Sequence, residues 1–272
     1  MTRFRFSAFV LVILSASLGG CSFLNQTSAG NNSRANLESF CEEAINNSES
    51  TNRPQPEAPT ILGTSPEQAW VRPSFKGPDG RFGAGTAFVV SQDNAVFLLT
   101  AHHLFGPAGG LDREYRWSEM PNLVSGASGE NPLGKVSVIT GKALPVKGAR
   151  GMQGTQLNAD LAIFPVQSES QVHAMPLAQT LPQVGDDVWL VGEVIGSSEY
   201  RHKAVVNEVS KEGIYYRFDN KIELRATSGA PIVDAKGQVV AMNLGGGEYQ
   251  GAIMGIGNPA PVMNCHLQAA WH

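Results

Sequence analysis

From Glu67 onward the chain is a succession of short β-prone runs broken by Gly, Pro, Asn and Asp. Runs of that length, rich in β-branched and aromatic residues, read as strands, and the turn formers between them exclude long helices. Ala69–Phe75, Thr86–Val90, Val96–Thr100, Val136–Thr140 and Leu161–Val166 make most of a first antiparallel barrel. Trp189–Val194, Lys203–Val209, Ile214–Phe218, Pro231–Val233, Gln238–Asn243 and Ala252–Ile256 make a second. Gly77-Pro78-Asp79-Gly80 is a hairpin turn. The predicted fold class is therefore all-β: two packed antiparallel six-stranded β-barrels, over about residues 61–175 and 176–272, preceded by a short helix. The 30 Gly and 16 Pro among 272 residues suit such a turn-rich chain. Residues 106–134 lack clear periodicity and are expected to form a loop insertion bordering the cleft.

The N-terminal part has a different texture. Residues 1–20 carry Arg3 and Arg5, then an apolar segment from Phe6 to Leu18, and lead into Leu18-Gly19-Gly20-Cys21. The apolar part is shorter than the ~20 residues that span a bilayer and ends in small residues, as a cleavable export signal does. Leu-Gly-Gly-Cys resembles the bacterial lipoprotein lipobox. That resemblance implies cleavage before Cys21 and acylation of its thiol and amine, and Ser22 after the cysteine implies the outer membrane, facing the periplasm. Residues 21–60 are rich in Asn, Ser and Thr and read as a tether. Within it Leu37, Phe40, Cys41, Ala44 and Ile45 recur at helical spacing, so a short amphipathic helix is expected between Ser33 and Asn47. Cys41 and Cys265 remain after acylation of Cys21. An oxidising periplasm permits their pairing, and a bond closing so long a loop stabilises by roughly 2–4 kcal/mol. The alternative is two buried free thiols.

Three further stretches carry chemistry. Arg225-Ala226-Thr227-Ser228-Gly229-Ala230-Pro231 sets a serine between small residues on a tight turn before a strand. There a carbonyl carbon can approach Oγ, and neighbouring N–H groups can meet a developing oxyanion. Phe97-Leu98-Leu99-Thr100-Ala101-His102-His103 puts histidines at the end of a buried strand, a rigid mount for a general base. Asn158-Ala159-Asp160-Leu161-Ala162-Ile163-Phe164 heads another apolar strand with a carboxylate. Such a group beside an imidazole fixes its tautomer and stabilises the imidazolium.

In the order His, Asp, Ser these stretches resemble the trypsin-like (chymotrypsin-fold) serine peptidases. Gly83-Ala84-Gly85-Thr86-Ala87-Phe88-Val89-Val90 is similar to the family's Gly-x-Gly-x-x-Phe-Val-Val strand, and Thr100-Ala101-His102-His103 to its Thr-Ala-x-His element. The resemblance implies His103 as base, Asp160 as orienting acid, Ser228 as nucleophile, and the N–H groups of Ala226 and Ser228 as oxyanion hole. His102 competes with His103 but falls in the wrong place of the motif, so it is expected in a supporting or surface position. Asp186 and Asp187 are rival acids in what reads as a turn before a strand. The family register also puts Ile222 at the base of the primary pocket and makes Asn243-Leu244-Gly245 the edge strand that pairs with substrate. An apolar pocket floor favours apolar or small side chains, whereas Glu223 reverses that preference if the register is off by one.

The sequence departs from the family pattern at Ala226, where Gly is usual, since a positive φ costs Ala roughly 1 kcal/mol. Ala230 replaces a second Gly, and Thr227 replaces the Asp that digestive members pair with a freed N-terminal amine, so no activation of that kind is expected. Fewer than fifty residues follow Ser228, and no peptide-binding domain of the HtrA kind is expected among them. Formal charge is -4, moving to about -6 without Arg3 and Arg5, which gives no support for nucleic-acid binding. No Cys/His cluster has zinc-site spacing and no nucleotide loop appears, so no metal or cofactor is expected. The expected function is a membrane-anchored cell-envelope serine endopeptidase acting on protein or peptide substrates. The alternatives are an inactive pseudopeptidase that binds peptides or a partner, and an esterase using the same residues.

Overall fold

The computed structural model describes Cys41 and residues 58–92, 95–134 and 137–271. The expected signal peptide at 1–20, the lipidated Cys21 and, apart from Cys41, the 33–47 helix lie outside the described residues. Cys41 is helical and is joined to Cys265 by a disulfide, with the Cα atoms 5.0 Å apart. The paired alternative for these cysteines is the one adopted.

The first half contains β1 (Thr60–Gly63), β2 (Trp70–Gly77), β3 (Gly80–Gly83), β4 (Ala87–Gln92), β5 (Ala95–Thr100), β6 (Ala127–Glu130), β7 (Ser137–Ile139), β8 (Ala162–Pro165) and β9 (Gln171–His173). They form a nine-stranded sheet in the order β1-β9-β7-β6-β2-β4-β5-β8, with β3 paired to β2. The path from β7 to β8 curls until its ends meet at an antiparallel bridge between Thr140 and Val166. β1 adds to β9 in parallel, a pairing the sequence reading did not include. Every residue of β5 is buried, as its unbroken apolar run requires of a strand covered on both faces. Beneath it Phe105 packs on Phe75 and Phe164 at ring-centroid distances of 4.8 and 6.0 Å.

The second half is a closed barrel in the order β10-β11-β12-β15-β14-β13. Its strands are β10 (Asp187–Val191), β11 (Arg201–Val209), β12 (Ile214–Phe218), β13 (Pro231–Val233), β14 (Val239–Tyr249) and β15 (Ala252–Pro259). β14 and β15 meet in a two-residue turn at Gln250-Gly251, both with positive φ (49° and 81°). That is the type I′ geometry whose twist matches a hairpin.

Two elements depart from expectation. β6 lies inside the stretch expected to be wholly loop, and its Ala-Ser-Gly-Glu sequence has no β-branched residue. It pairs with β2 because Gly129 lets Val71 approach: a Cβ there would stand 2.7 Å from Val71 Cγ2. The chain also ends in a helix, Ala260–Trp271, where no helix was expected. Pro261 sits in its first turn, where a missing N–H costs nothing. The helix leaves the second barrel and sets Trp271 edge-on against Phe97 of β5, with centroids 5.0 Å apart. It thereby packs across both halves.

Candidate active site

β5 and β8 are neighbours, with Thr100 opposite Ala162. His103 lies just beyond Thr100 and Asp160 just before Ala162, so this pairing alone brings them to one sheet end. Asp160 Oδ2 accepts from His103 Nδ1 at 2.6 Å, and Oδ1 accepts the backbone N–H of His103 at 2.9 Å. The carboxylate is fully buried. Both bonds hold the ring with Nδ1 protonated and Nε2 free to accept. From the second barrel, Asn258 Nδ2 on β15 donates to the backbone carbonyls of Asn158 (3.2 Å) and Asp160 (3.3 Å). That support was not visible in the sequence, where Asn258 belongs to no motif.

His102, next to His103, points away. It is buried, and its Nε2 lies 2.8 Å from the Tyr115 carbonyl oxygen. Burial lowers its pKa, partly opposed by that hydrogen bond. A surface position for it is thus corrected, because His102 opens a 3-10 turn over His102–Phe105 in which adjacent side chains diverge, and it faces the Phe105 side of the core. Asp186 accepts from Gln183 N within its turn, and Asp187 pairs with Lys203 on the surface. Neither stands in for Asp160.

The serine loop docks on the first half. Thr86 N donates to Ser228 O at 2.8 Å, and a Cβ on Gly229 would fall 2.0 Å from Thr86 O and 2.5 Å from Thr100 Oγ1. Only glycine, here at φ 86°, permits this approach. Thr227 N donates to Leu224 O, and Ala226 has φ 63° while Arg225 keeps a negative one. Those features define a type II turn over 224–227. Among the described residues neither Ala226 N–H nor Ser228 N–H has a hydrogen-bond partner. The turn leaves the two predicted oxyanion donors uncommitted, and Ala226 takes the positive φ despite its Cβ. Ser228 Oγ donates to the Leu244 carbonyl at 3.0 Å.

Thr227 is buried. Its Oγ1 donates to Leu224 O at 2.6 Å and accepts from Asn243 Nδ2 at 2.9 Å, while Asn243 Oδ1 accepts from the Tyr216 hydroxyl. This chain from β12 through β14 fixes the loop from behind. It also corrects the role predicted for Asn243. The residue is fully buried, its N–H donates to Ala230 O and its carbonyl accepts from Gly229 N. No backbone group is left there for a substrate. A register shift in the β14–β15 ladder falls at Leu244 and leaves its carbonyl facing Ser228. Among the described residues β14 pairs only with β15 from Gly245 onward, which leaves its other edge open.

Ile222 is half-buried against the core of the second barrel. Leu224, not singled out by the sequence, instead lies at the edge strand: a Cβ on Gly246 would stand 2.6 Å from its Cδ1. Glu223 is held by Arg225, through its backbone N–H and through Nε at 3.0 Å. Among the described residues no group of three or more His, Cys, Asp or Glu is arranged to hold a metal ion.

A family model described as a trypsin-like peptidase domain matches residues 85–242. A search of curated proteins gave no match. Among solved structures, the active form of the Rv3671c protease from M. tuberculosis shares 17% identity at a TM-score of 0.49, covering 82% of this chain and 95% of that one. The HtrA-type protease AlgW with a decapeptide shares 15% at a TM-score of 0.47, covering 76% of this chain and 65% of that one. Because the family model spans more than half of the sequence and includes the stretches that carry His103, Asp160 and Ser228, the chain belongs to the trypsin-like peptidases.

Proposed function

We propose that the protein is a serine endopeptidase of the bacterial cell envelope, held by a lipid at Cys21 and using Ser228 as nucleophile. The observation that carries the chemistry is the buried Asp160 with both oxygens on His103, beside two uncommitted N–H groups at Ala226 and Ser228. Ser228 Oγ first turns from Leu244 O toward His103 Nε2. It then attacks the peptide carbonyl while Nε2 takes its proton, and Asp160 stabilises the imidazolium. The oxyanion is met by the Ala226 and Ser228 N–H groups. His103 next gives its proton to the leaving amine, and water, deprotonated by the same ring, hydrolyses the acyl-enzyme. The open edge of β14 from Gly245 onward suits an extended peptide, which favours a peptide over a small ester as substrate. The cell-envelope setting rests on the Leu-Gly-Gly-Cys stretch, and the Cys41–Cys265 disulfide fits an oxidising compartment.

One observation favours a second reading. The Ser228 hydroxyl is engaged by Leu244 O rather than by His103, as suits a protein that binds peptides without cleaving them. Labelling with a fluorophosphonate probe decides between the two. Labelling of wild type that is lost in Ser228→Ala and in His103→Ala supports the peptidase. A well-folded wild type that does not label moves peptide binding to first place.

A further inference from the structure

Arg72 lies mid-strand on β2 and belongs to none of the motifs, yet its guanidinium reaches the serine loop. Nη1 donates to Ala226 O at 2.6 Å, Thr86 Oγ1 at 2.8 Å and Gly85 O at 3.1 Å. Nη2 donates to Glu193 O at 3.0 Å, and Nε pairs with Glu193 Oε2 at 3.1 Å. Thr86 Oγ1 itself donates to Ala226 O at 2.9 Å. One side chain thus ties together the start of β4, the β10–β11 loop and the carbonyl of the residue with positive φ. We propose that Arg72, with Thr86, is a positioning residue for the oxyanion hole, holding Ala226 in the conformation from which its N–H serves Ser228.

The physical argument starts from strain. Non-glycine residues leave the left-handed region unless the surroundings hold them there. If Ala226 relaxed by moving its own Cα and carbonyl, that oxygen would come off both Thr86 and Arg72. A hydrogen bond from a charged donor is of the same size as the strain of one such residue and can offset it. The flanks are held as well: Thr227 N on Leu224 O and Thr227 O by Asn243 Nδ2. A planar guanidinium with five donors suits three elements at once, as an ammonium does not.

The inference rests on the peptidase reading of this site, and the test separates the two. Arg72→Met keeps an unbranched side chain in the strand but removes the guanidinium, whose Cζ lies 5.9 Å from the Trp70 ring centroid. The variant is expected to label with fluorophosphonate and to turn over peptide about tenfold or more slowly, through kcat, with KM nearly unchanged. Arg72→Lys recovers part of the loss. Ala226→Gly, which needs no hold, makes activity much less sensitive to Arg72→Met. Arg201→Ala, which removes another ion pair between the halves, with Glu67, retains wild-type kcat. Unchanged kcat in Arg72→Met, a loss confined to KM, or an equal loss in the Ala226→Gly background overturns the proposal. Hydrogen exchange over residues 224–228 reads the same anchor without turnover, and is expected to quicken in Arg72→Met. A wild type that never labels, while exchange still responds to Arg72, sinks the peptidase reading and leaves the anchor standing; exchange that does not respond sinks the anchor.

Discussion

At Ala226 and Gly229 the chain adopts left-handed conformations three residues apart, for different reasons. Ala226 has room for its Cβ and bears a backbone cost of roughly 1–2 kcal/mol. Gly229 has no room, since a Cβ would overlap Thr86 O and Thr100 Oγ1. Gly229→Ala is therefore expected to combine backbone strain with overpacking, about 2–5 kcal/mol in a urea titration. It also displaces Ser228 from Thr86, so fluorophosphonate labelling should vanish even where the protein remains folded. Ala230 is the contrasting departure from the family pattern. It is buried beside Gly192, where even an added Cβ would stand 3.7 Å from its methyl. The conflict at Ala226 was legible in the sequence as an Ala in a glycine position. Its answer, Arg72, was not, because an arginine in the middle of a strand has no local mark of which carbonyl it will meet.

At the scale of elements, His103 and Asp160 come together because β5 and β8 pair, while Ser228 comes from the second barrel and docks on the ends of β4 and β5. The C-terminal helix spans the same junction. Asn258, two residues before that helix, supports the Asp160 loop, and Trp271 at its end packs on β5. Removing the disulfide by Cys41→Ser and Cys265→Ser is expected to cost about 2–4 kcal/mol. For a body of this size that lowers Tm by roughly 4–16 °C, with little change in kcat because the bond touches no group in the site. Differential scanning calorimetry of the oxidised protein and the double variant checks both size and direction, and equal Tm values would refute it. Ala260–Trp271 and β6 escaped sequence reading for related reasons. The helix is apolar on most of its surface and lacks the contrast of faces that marks an amphipathic one. β6 is chosen by what lies beside Gly129 rather than by its own propensity.

Across the whole molecule, burial of histidines sets a response to acid. Burial brings His266 of the terminal helix down to about 4, from 6.5, against a hydrogen bond that the ring donates to the Asn158 backbone, and also lowers His102. Each of these groups binds more protons unfolded than folded, and for His266 that window runs between pH 6.5 and about 4. Stability thus rises with pH through the window and is lost as pH falls below 6.5. The urea midpoint is expected to be lower at mildly acidic than at neutral pH, and His266→Gln should flatten that dependence. A midpoint that ignores pH across this range would count against the burial of both rings.

What the sequence determined by itself was local. The strand texture, the turns and the His, Asp and Ser stretches each depend on a few neighbouring residues whose propensities and spacing are written in the chain. Those made the fold class and the order of the site legible, together with the strain expected at Ala226. Tertiary structure decided whatever depends on residues distant in sequence meeting in space. Asn243 serves Thr227 rather than a substrate because two loops close on it, and Leu244 O takes the Ser228 hydroxyl because the ladder shifts there. Arg72 reaches Ala226 across the cleft because two barrels pack. Hydrogen-bond partners so far apart along the chain are chosen by packing geometry, and no local pattern encodes that choice.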